Sequence, residues 1–198
     1  MSGRPEAFSI GLPSWVQGEC QAFGWGPAPD PLRRLAFVLR LARRNFEEQS
    51  GGPFAAAVFR MDTCELVAAG VNRVVSSNSS AAHAEIVALT LAQRFYGNFD
   101  LGATNLPPHQ LVVSWRPCAM CFGALPWSGV RSLLIAGSGD ELEQITGFDE
   151  GPIHPRWQEE LTQRGIAVEQ GPTQREALAV IHDFAASGAP VYNGRRSE

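Results

Sequence analysis

Two short stretches carry residue types able to do chemistry together, His83-Ala84-Glu85 and Pro117-Cys118-Ala119-Met120-Cys121. One imidazole and two thiolates form a three-donor set for zinc and leave the fourth tetrahedral position to a water molecule, as in catalytic rather than structural zinc sites. Cys118 and Cys121 are three residues apart, so on the first turn of a helix both sulfurs face one side. There the helix N-terminus and the cation both favour the thiolate forms. Glu85, two residues from His83, need not bind the same ion and is placed beside the water as a general base. The implied reaction is hydrolytic. The metal lowers the pKa of the water, Glu85 takes the proton, and hydroxide attacks an amidine-like ring carbon. Glu85 then returns protons to a ring nitrogen and to departing ammonia. A redox Cys-x-x-Cys pair would leave His83 and Glu85 idle, and a structural zinc knot lacks a fourth ligand at suitable spacing.

Both stretches stand where a loop becomes a helix, and the surrounding pattern alternates strands with helices. Asp30-Pro31 reads as an N-cap followed by proline at the first helical position. Leu32, Leu35, Leu39, Ala42 and Phe46 then recur at helical spacing up to Ser50-Gly51-Gly52. Phe54–Phe59 and Leu66–Val71 read as a hairpin around the turn-forming Met61–Glu65. A Ser/Asn loop at 72–81 precedes helical composition from Ala82 to Phe95, and Pro107-Pro108 breaks the chain before a strand at Leu111–Ser114. A helix from Pro117 toward Trp127, a strand at Leu133–Ala136 and a polar loop to Pro155 follow. The chain closes with a helix at Trp157–Arg164, a strand at Ile166–Glu169 and a helix at Thr173–Ala186. This order predicts a three-layer α/β/α domain over residues 30–193 with a central mixed sheet. Residues 1–29, rich in Gly and Pro, read as an irregular arm, and 194–198 as a tail.

At 198 residues and 44% hydrophobic content the chain supports one core, and a net charge of −4 favours a small substrate over nucleic acid. The pairs Arg33-Arg34 and Arg43-Arg44 read as a solvated helix face, and Arg195-Arg196 is a third basic pair. No apolar run is long enough to span a bilayer and the N-terminus lacks a signal-like pattern, so a soluble, cytoplasmic protein is expected. In a reducing compartment the close pair Cys118 and Cys121 is a metal or redox device, whereas Cys20 and Cys64 are ordinary residues. His109 and His182 are expected to face solvent, and His154 carries no assigned role.

The pairing of His-x-Glu with Pro-Cys-x-x-Cys is a known signature of zinc-dependent deaminases. On it the chain resembles the cytidine deaminase superfamily, and within that the bacterial guanine deaminases, over about residues 31–193. Secondary points of likeness are Gly51-Gly52-Pro53-Phe54, Asn72, Gly123-Ala124-Leu125-Pro126-Trp127 and Gly147-Phe148-Asp149-Glu150. The resemblance implies a cytidine deaminase-like fold, one zinc per subunit bound by His83, Cys118 and Cys121, and Glu85 as proton carrier. It also implies deamination of guanine to xanthine, with aminated s-triazines such as ammeline as further substrates. Where guanine deaminases carry a segment like Gly-Phe-Asp-Asp, this chain has Glu150 as the second acid, with Asp149 as the alternative. By the same likeness Asn72 binds the ring edge, Phe54 and Trp127 sandwich its faces, and Ala84 belongs to the substrate-contacting set. A homodimer is implied, with C-terminal segments exchanged so that Tyr192 reaches a site. A nucleoside or tRNA adenosine or cytidine deaminase would need ribose contacts or a basic groove, and an inactive zinc-stabilised binding protein would have no use for Glu85.

Overall fold

The computed structural model describes residues 6–194; Arg195-Arg196 lie outside them. A five-stranded mixed sheet runs in the order β2-β1-β3-β4-β5. The hairpin β1 (Ala55–Arg60) and β2 (Leu66–Val71) is antiparallel, as is the β1 pairing with β3 (His109–Val113). β4 (Ser132–Ile135) and β5 (Ala167–Gln170) then add in parallel beside β3. Period-two alternation divides the strands between two cores. Ala55, Ala57 and Phe59 of β1 face one side with Val112 and Leu134, while Ala56 and Val58 face the other with Leu111, Leu133 and Ile135. Helices cover both faces, which is the three-layer arrangement expected from the sequence.

On the first face lie α1 (Ser14–Phe23), α2 (Pro31–Glu47), α6 (Glu141–Thr146) and α8 (Gln174–Ala186). On the second lie α4 (Ala84–Tyr96), α5 (Ala119–Ser128) and α7 (Trp157–Gln163), and α3 (Val74–Ser77) is a single turn leading into α4. Asp30 caps α2 through its side chain, which accepts from the Leu32 N–H at 2.9 Å. α2 is buried more widely than its five-residue stripe predicts. Phe37, Val38 and Leu41 are fully covered, whereas Leu32 is half exposed, because α1 and the sheet press on different sides of the helix. α4 approaches the sheet closely where Gly70 of β2 leaves room: a Cβ there would run into the Ala84 carbonyl and the Ala88 backbone. His83 and Glu85, at the head of α4, are thereby fixed against the edge of the sheet. Among the described residues no helix is long and apolar enough to cross a membrane.

Four expectations are corrected. The region 1–29 contains the helix α1, whose Val16, Cys20 and Phe23 are buried at spacings of four and three; the surrounding Gly and Pro masked that short stripe. The loop before Pro155 contains α6, short enough that only Leu142 is buried along it. His109 is fully buried on β3, with Nδ1 3.0 Å from the Leu101 carbonyl oxygen and its ring 5.0 Å from that of Tyr96. Arg34 is buried with its guanidinium over the Phe59 ring, so of the pair Arg33-Arg34 only Arg33 lies on the solvated face.

Candidate active site

The metal-binding candidates come from the N-terminal caps of two helices on the same side of the sheet. His83 caps α4 and Cys118 caps α5, each in an extended backbone conformation, and Cys121 follows one turn into α5. Cys118 Sγ lies 3.5 Å from His83 Nδ1, and the donor atoms of His83, Cys118 and Cys121 all fall within 4.8 Å of one another. That spacing suits one small cation bridged by three ligands. The chemistry of the donors points the same way. Hydrogen bonding from Cys121, supported by His83, pulls the Cys118 thiol down to about 4, while the neighbouring Cys118 pushes Cys121 up. Two buried thiolates side by side repel, and a divalent cation neutralises both.

A cleft of about 590 Å³ opens beside this cluster and is lined by Phe54, His83, Glu85, Cys118, Glu150 and Tyr192, among others. Its size fits a small heterocycle. Glu85 sits on the first turn of α4, where the helix dipole tolerates a carboxylate. Burial, reinforced by the charge of Cys118, nonetheless pushes it up to about 7, into the range suited to taking and giving protons near neutrality. Glu150 is buried too and is pushed up to about 8, first by burial and then by the charges of Cys118 and Glu85. The adjacent Asp149 is exposed and turns its carboxylate to the Gly151 N–H at 2.9 Å. Of these two acids Glu150 is the buried one, and Asp149 shapes the turn.

Phe54 lies on the cleft wall, edge-on to Phe148 at 5.2 Å. Tyr192 enters the cleft of its own chain, edge-on to Phe148 at 5.1 Å, with its hydroxyl against Gly52, where a Cβ would stand 2.8 Å away. Asn72 is buried at the end of β2, not on the cleft wall itself, and its side-chain oxygen accepts from the Val74 N–H at 3.3 Å. Its amide nitrogen and the Tyr192 hydroxyl are both buried, neighbours of one another without a well-formed hydrogen bond to any of the described residues. Orphan donors of this kind are costly unless something polar completes them. Ala84 is buried at the start of α4 and does not line the cleft. Trp127 is 84% exposed on α5 and borders a different groove with Ile86 and Leu89, so it does not face the cleft of its own chain.

Sequence reasoning missed Asn45. Fully buried on α2, its Nδ2 donates to the Gly52 carbonyl at 2.8 Å and the Asn72 carbonyl at 2.9 Å, tying the Gly51-Gly52 turn to the end of β2. Gly51 is required there because a Cβ would collide with the Asn72 carbonyl oxygen. The available signal was a polar residue on the apolar stripe, three residues after Ala42 and beside Phe46.

Comparison with known proteins agrees with this geometry. The family model for the cytidine and deoxycytidylate deaminase zinc-binding region matches residues 33–136. The guanine deaminase of Bacillus subtilis (strain 168) is 32% identical over 132 residues, covering 67% of this chain and 80% of that protein. The tRNA-specific adenosine deaminase of Buchnera aphidicola subsp. Schizaphis graminum is 35% identical over 98 residues, 50% of this chain and 60% of that protein. Among solved structures, a guanine deaminase from Nitrosomonas europaea matches with a TM-score of 0.85 at 46% identity, over 93% of this chain and 100% of that one. The structure of NE0047 in complex with 2,6-diaminopurine matches with a TM-score of 0.86 at 46% identity, over 96% and 98% of the two chains. This chain therefore belongs, as a hydrolytic deaminase resembling the guanine deaminases, to the cytidine and deoxycytidylate deaminase zinc-binding family.

Proposed function

We propose that the protein deaminates guanine to xanthine with release of ammonia, using one zinc ion per subunit held by His83, Cys118 and Cys121. The observation that carries the reading is the convergence of two buried carboxyl groups, Glu85 and Glu150, on one cleft with the three metal donors. Zinc held by these three residues would supply Lewis acidity that brings a water molecule's pKa toward neutrality. Glu85 accepts the water's proton as the C–O bond forms at the amino-bearing ring carbon, and passes it to the adjacent ring nitrogen. Glu150 gives a proton to the amino group as the C–N bond breaks, the proton of the new hydroxyl passes to Glu85 as the carbonyl forms, and Glu150 is reprotonated from water as Glu85 gives that proton up. Two acids on one cleft can divide these roles.

Phe54 offers an aromatic face to the ring, and the amide of Asn72, buried at the end of β2 rather than on the cleft wall, is the donor assigned to its edge. Asn72→Ala should chiefly raise the apparent dissociation constant for guanine, by about tenfold or more, because the site's matching hydrogen bond is lost. Equilibrium binding checks this, and wild-type affinity would remove Asn72 from ring recognition. Tyr192 and Phe148 line the cleft as packed aromatic rings, and a flat free base is the ligand we assign to it. Amidine-bearing s-triazines such as ammeline present the same reacting group to the same residues.

A homodimer accounts for the exposed apolar face around α4 and α5, where Trp127, Phe99 and Met120 meet solvent. From that position Trp127 can stack on a bound ring only across a subunit interface. No exchange of C-terminal segments is needed to bring Tyr192 to a site, since it reaches the cleft of its own chain. The test of the substrate class is parallel turnover of guanine and ammeline against guanosine, adenosine and cytidine. Free bases should be processed and nucleosides left intact. Activity confined to nucleosides would replace this reading with the nucleoside or tRNA deaminase reading.

A further inference from the structure

The segment that carries Glu150 belongs to no helix or strand, yet four successive N–H groups in it are satisfied by side chains. Phe148 N–H donates to Thr146 Oγ1 at 3.1 Å and Asp149 N–H to Asn193 Oδ1 at 2.9 Å. Glu150 N–H donates to Glu143 Oε1 at 3.2 Å, and Gly151 N–H to Asp149 Oδ1 at 2.9 Å. On its other side, the Glu150 carbonyl accepts the Ala119 N–H at 2.9 Å, directly after the ligand Cys118. The peptide of Glu150 is thus held from both ends, by Glu143 of α6 and by the turn that presents the zinc cysteines.

Glu143 is itself oriented from the cysteine side. Arg116, two residues before Cys118, is buried, and its Nε donates to the Gly139 carbonyl at 3.3 Å. Its Nη2 stands 3.8 Å from Glu143 Oε2 and 3.6 Å from Asp140 Oδ1. A buried guanidinium facing two carboxylates on α6 and its cap holds that helix against the loop before Pro117.

We infer that Glu143, oriented by Arg116, is a positioning residue that latches Glu150 onto the zinc-ligand turn and sets where its carboxyl enters the cleft. The inference rests on the proposed role of Glu150 as the second proton carrier. Glu143 is not among the metal donors and does not itself line the cleft, and its direct contact with a proposed reacting residue is the one to the Glu150 N–H. Two properties of the latch can be separated by substitution. Gln at position 143 keeps the acceptor at the same reach, while Asp keeps the charge but falls one methylene short of the Glu150 N–H.

The experiment is single-turnover deamination of guanine by the zinc-loaded protein. The variants are Glu143→Gln and Glu143→Asp, each alone and combined with Glu150→Gln, with zinc content and thermal melting followed in parallel. Glu143→Asp should slow the chemical step on the order of tenfold to a hundredfold, as expected for a small misplacement of a reacting group. Substrate affinity, zinc content and melting should stay at wild type, and Glu143→Gln should retain most of the rate. In the Glu150→Gln background Glu143→Asp should cost nothing further, since a positioning residue has nothing left to position. A wild-type rate for Glu143→Asp beside a slow Glu150→Gln would overturn the latch alone. So would losses that multiply in the double variant. A wild-type rate for Glu150→Gln itself would overturn both the role of Glu150 and the latch built on it.

Discussion

Glu85→Gln is expected to bind zinc normally and fold normally while guanine turnover falls about a thousandfold or more. The substitution preserves the shape of the side chain and removes its ability to hold a proton. General acid and base catalysis by one positioned group contributes on the order of 10² to 10⁴ in rate, and in the proposed mechanism Glu85 serves both the attack on the ring and the proton delivery to its nitrogen. His83, Cys118 and Cys121 are untouched, so metal content should not change. Elemental analysis together with ammonia release checks the two halves separately. Near-normal ammonia release would remove Glu85 from the proton pathway, and loss of zinc would make it part of the metal site instead.

The second large effect is expected at Glu150. Glu150→Gln should slow the chemical step about tenfold to a hundredfold without weakening substrate affinity, since the departing amino group loses its proton donor. The same substitution should alter stability with a definite sign. Burial pushes the Glu150 carboxyl up to about 8 from an ordinary value of 4.5, so the folded protein binds this proton more tightly than the unfolded chain. The protein's stability therefore falls as pH rises from about 4.5 to about 8, and the Gln variant escapes that loss. Below about pH 4.5 both forms should melt alike in this respect, and above pH 7 the variant should be the more stable. Parallel melting curves across that range check the prediction, and a variant less stable than the parent at pH 8 would contradict it. A group that costs stability where it speeds chemistry is common in active sites.

The grouping of His83, Cys118 and Cys121 was legible in the sequence because its geometry is local. His83 and Cys118 announce themselves at loop-to-helix junctions, and the spacing of Cys118 to Cys121 is one turn of a helix. The strands and long helices were legible for a similar reason: an unbroken apolar run in β1 and a stripe along α2 are written in consecutive residues. Failures arose where burial comes from distant parts of the chain. His109 follows two prolines and looks exposed, but the Leu101 carbonyl and Tyr96 close over it. Helix α1 has too few turns to stand out among its glycines, and it is held partly by Glu19, which pairs with Arg40 and Arg44 of α2. Asn45, Arg116 and Glu143 shape the site through individual side-chain contacts across loops, for which no sequence spacing exists. Trp127 shows the converse limit. Its place after the cysteines suggested a wall of the cleft, and the continuation of α5 carries it to the outer surface.

The measurement that tests the central claim most directly is release of xanthine and ammonia from guanine by the purified protein. It should be made first stripped of metal with a chelator and then reloaded with zinc, with Glu85→Gln as the blank. The account predicts equal amounts of the two products, no turnover without metal, restoration at one zinc per chain, and silence in the variant. Turnover that survives complete removal of the metal, or a fully zinc-loaded wild-type protein that releases no ammonia from guanine, would contradict it.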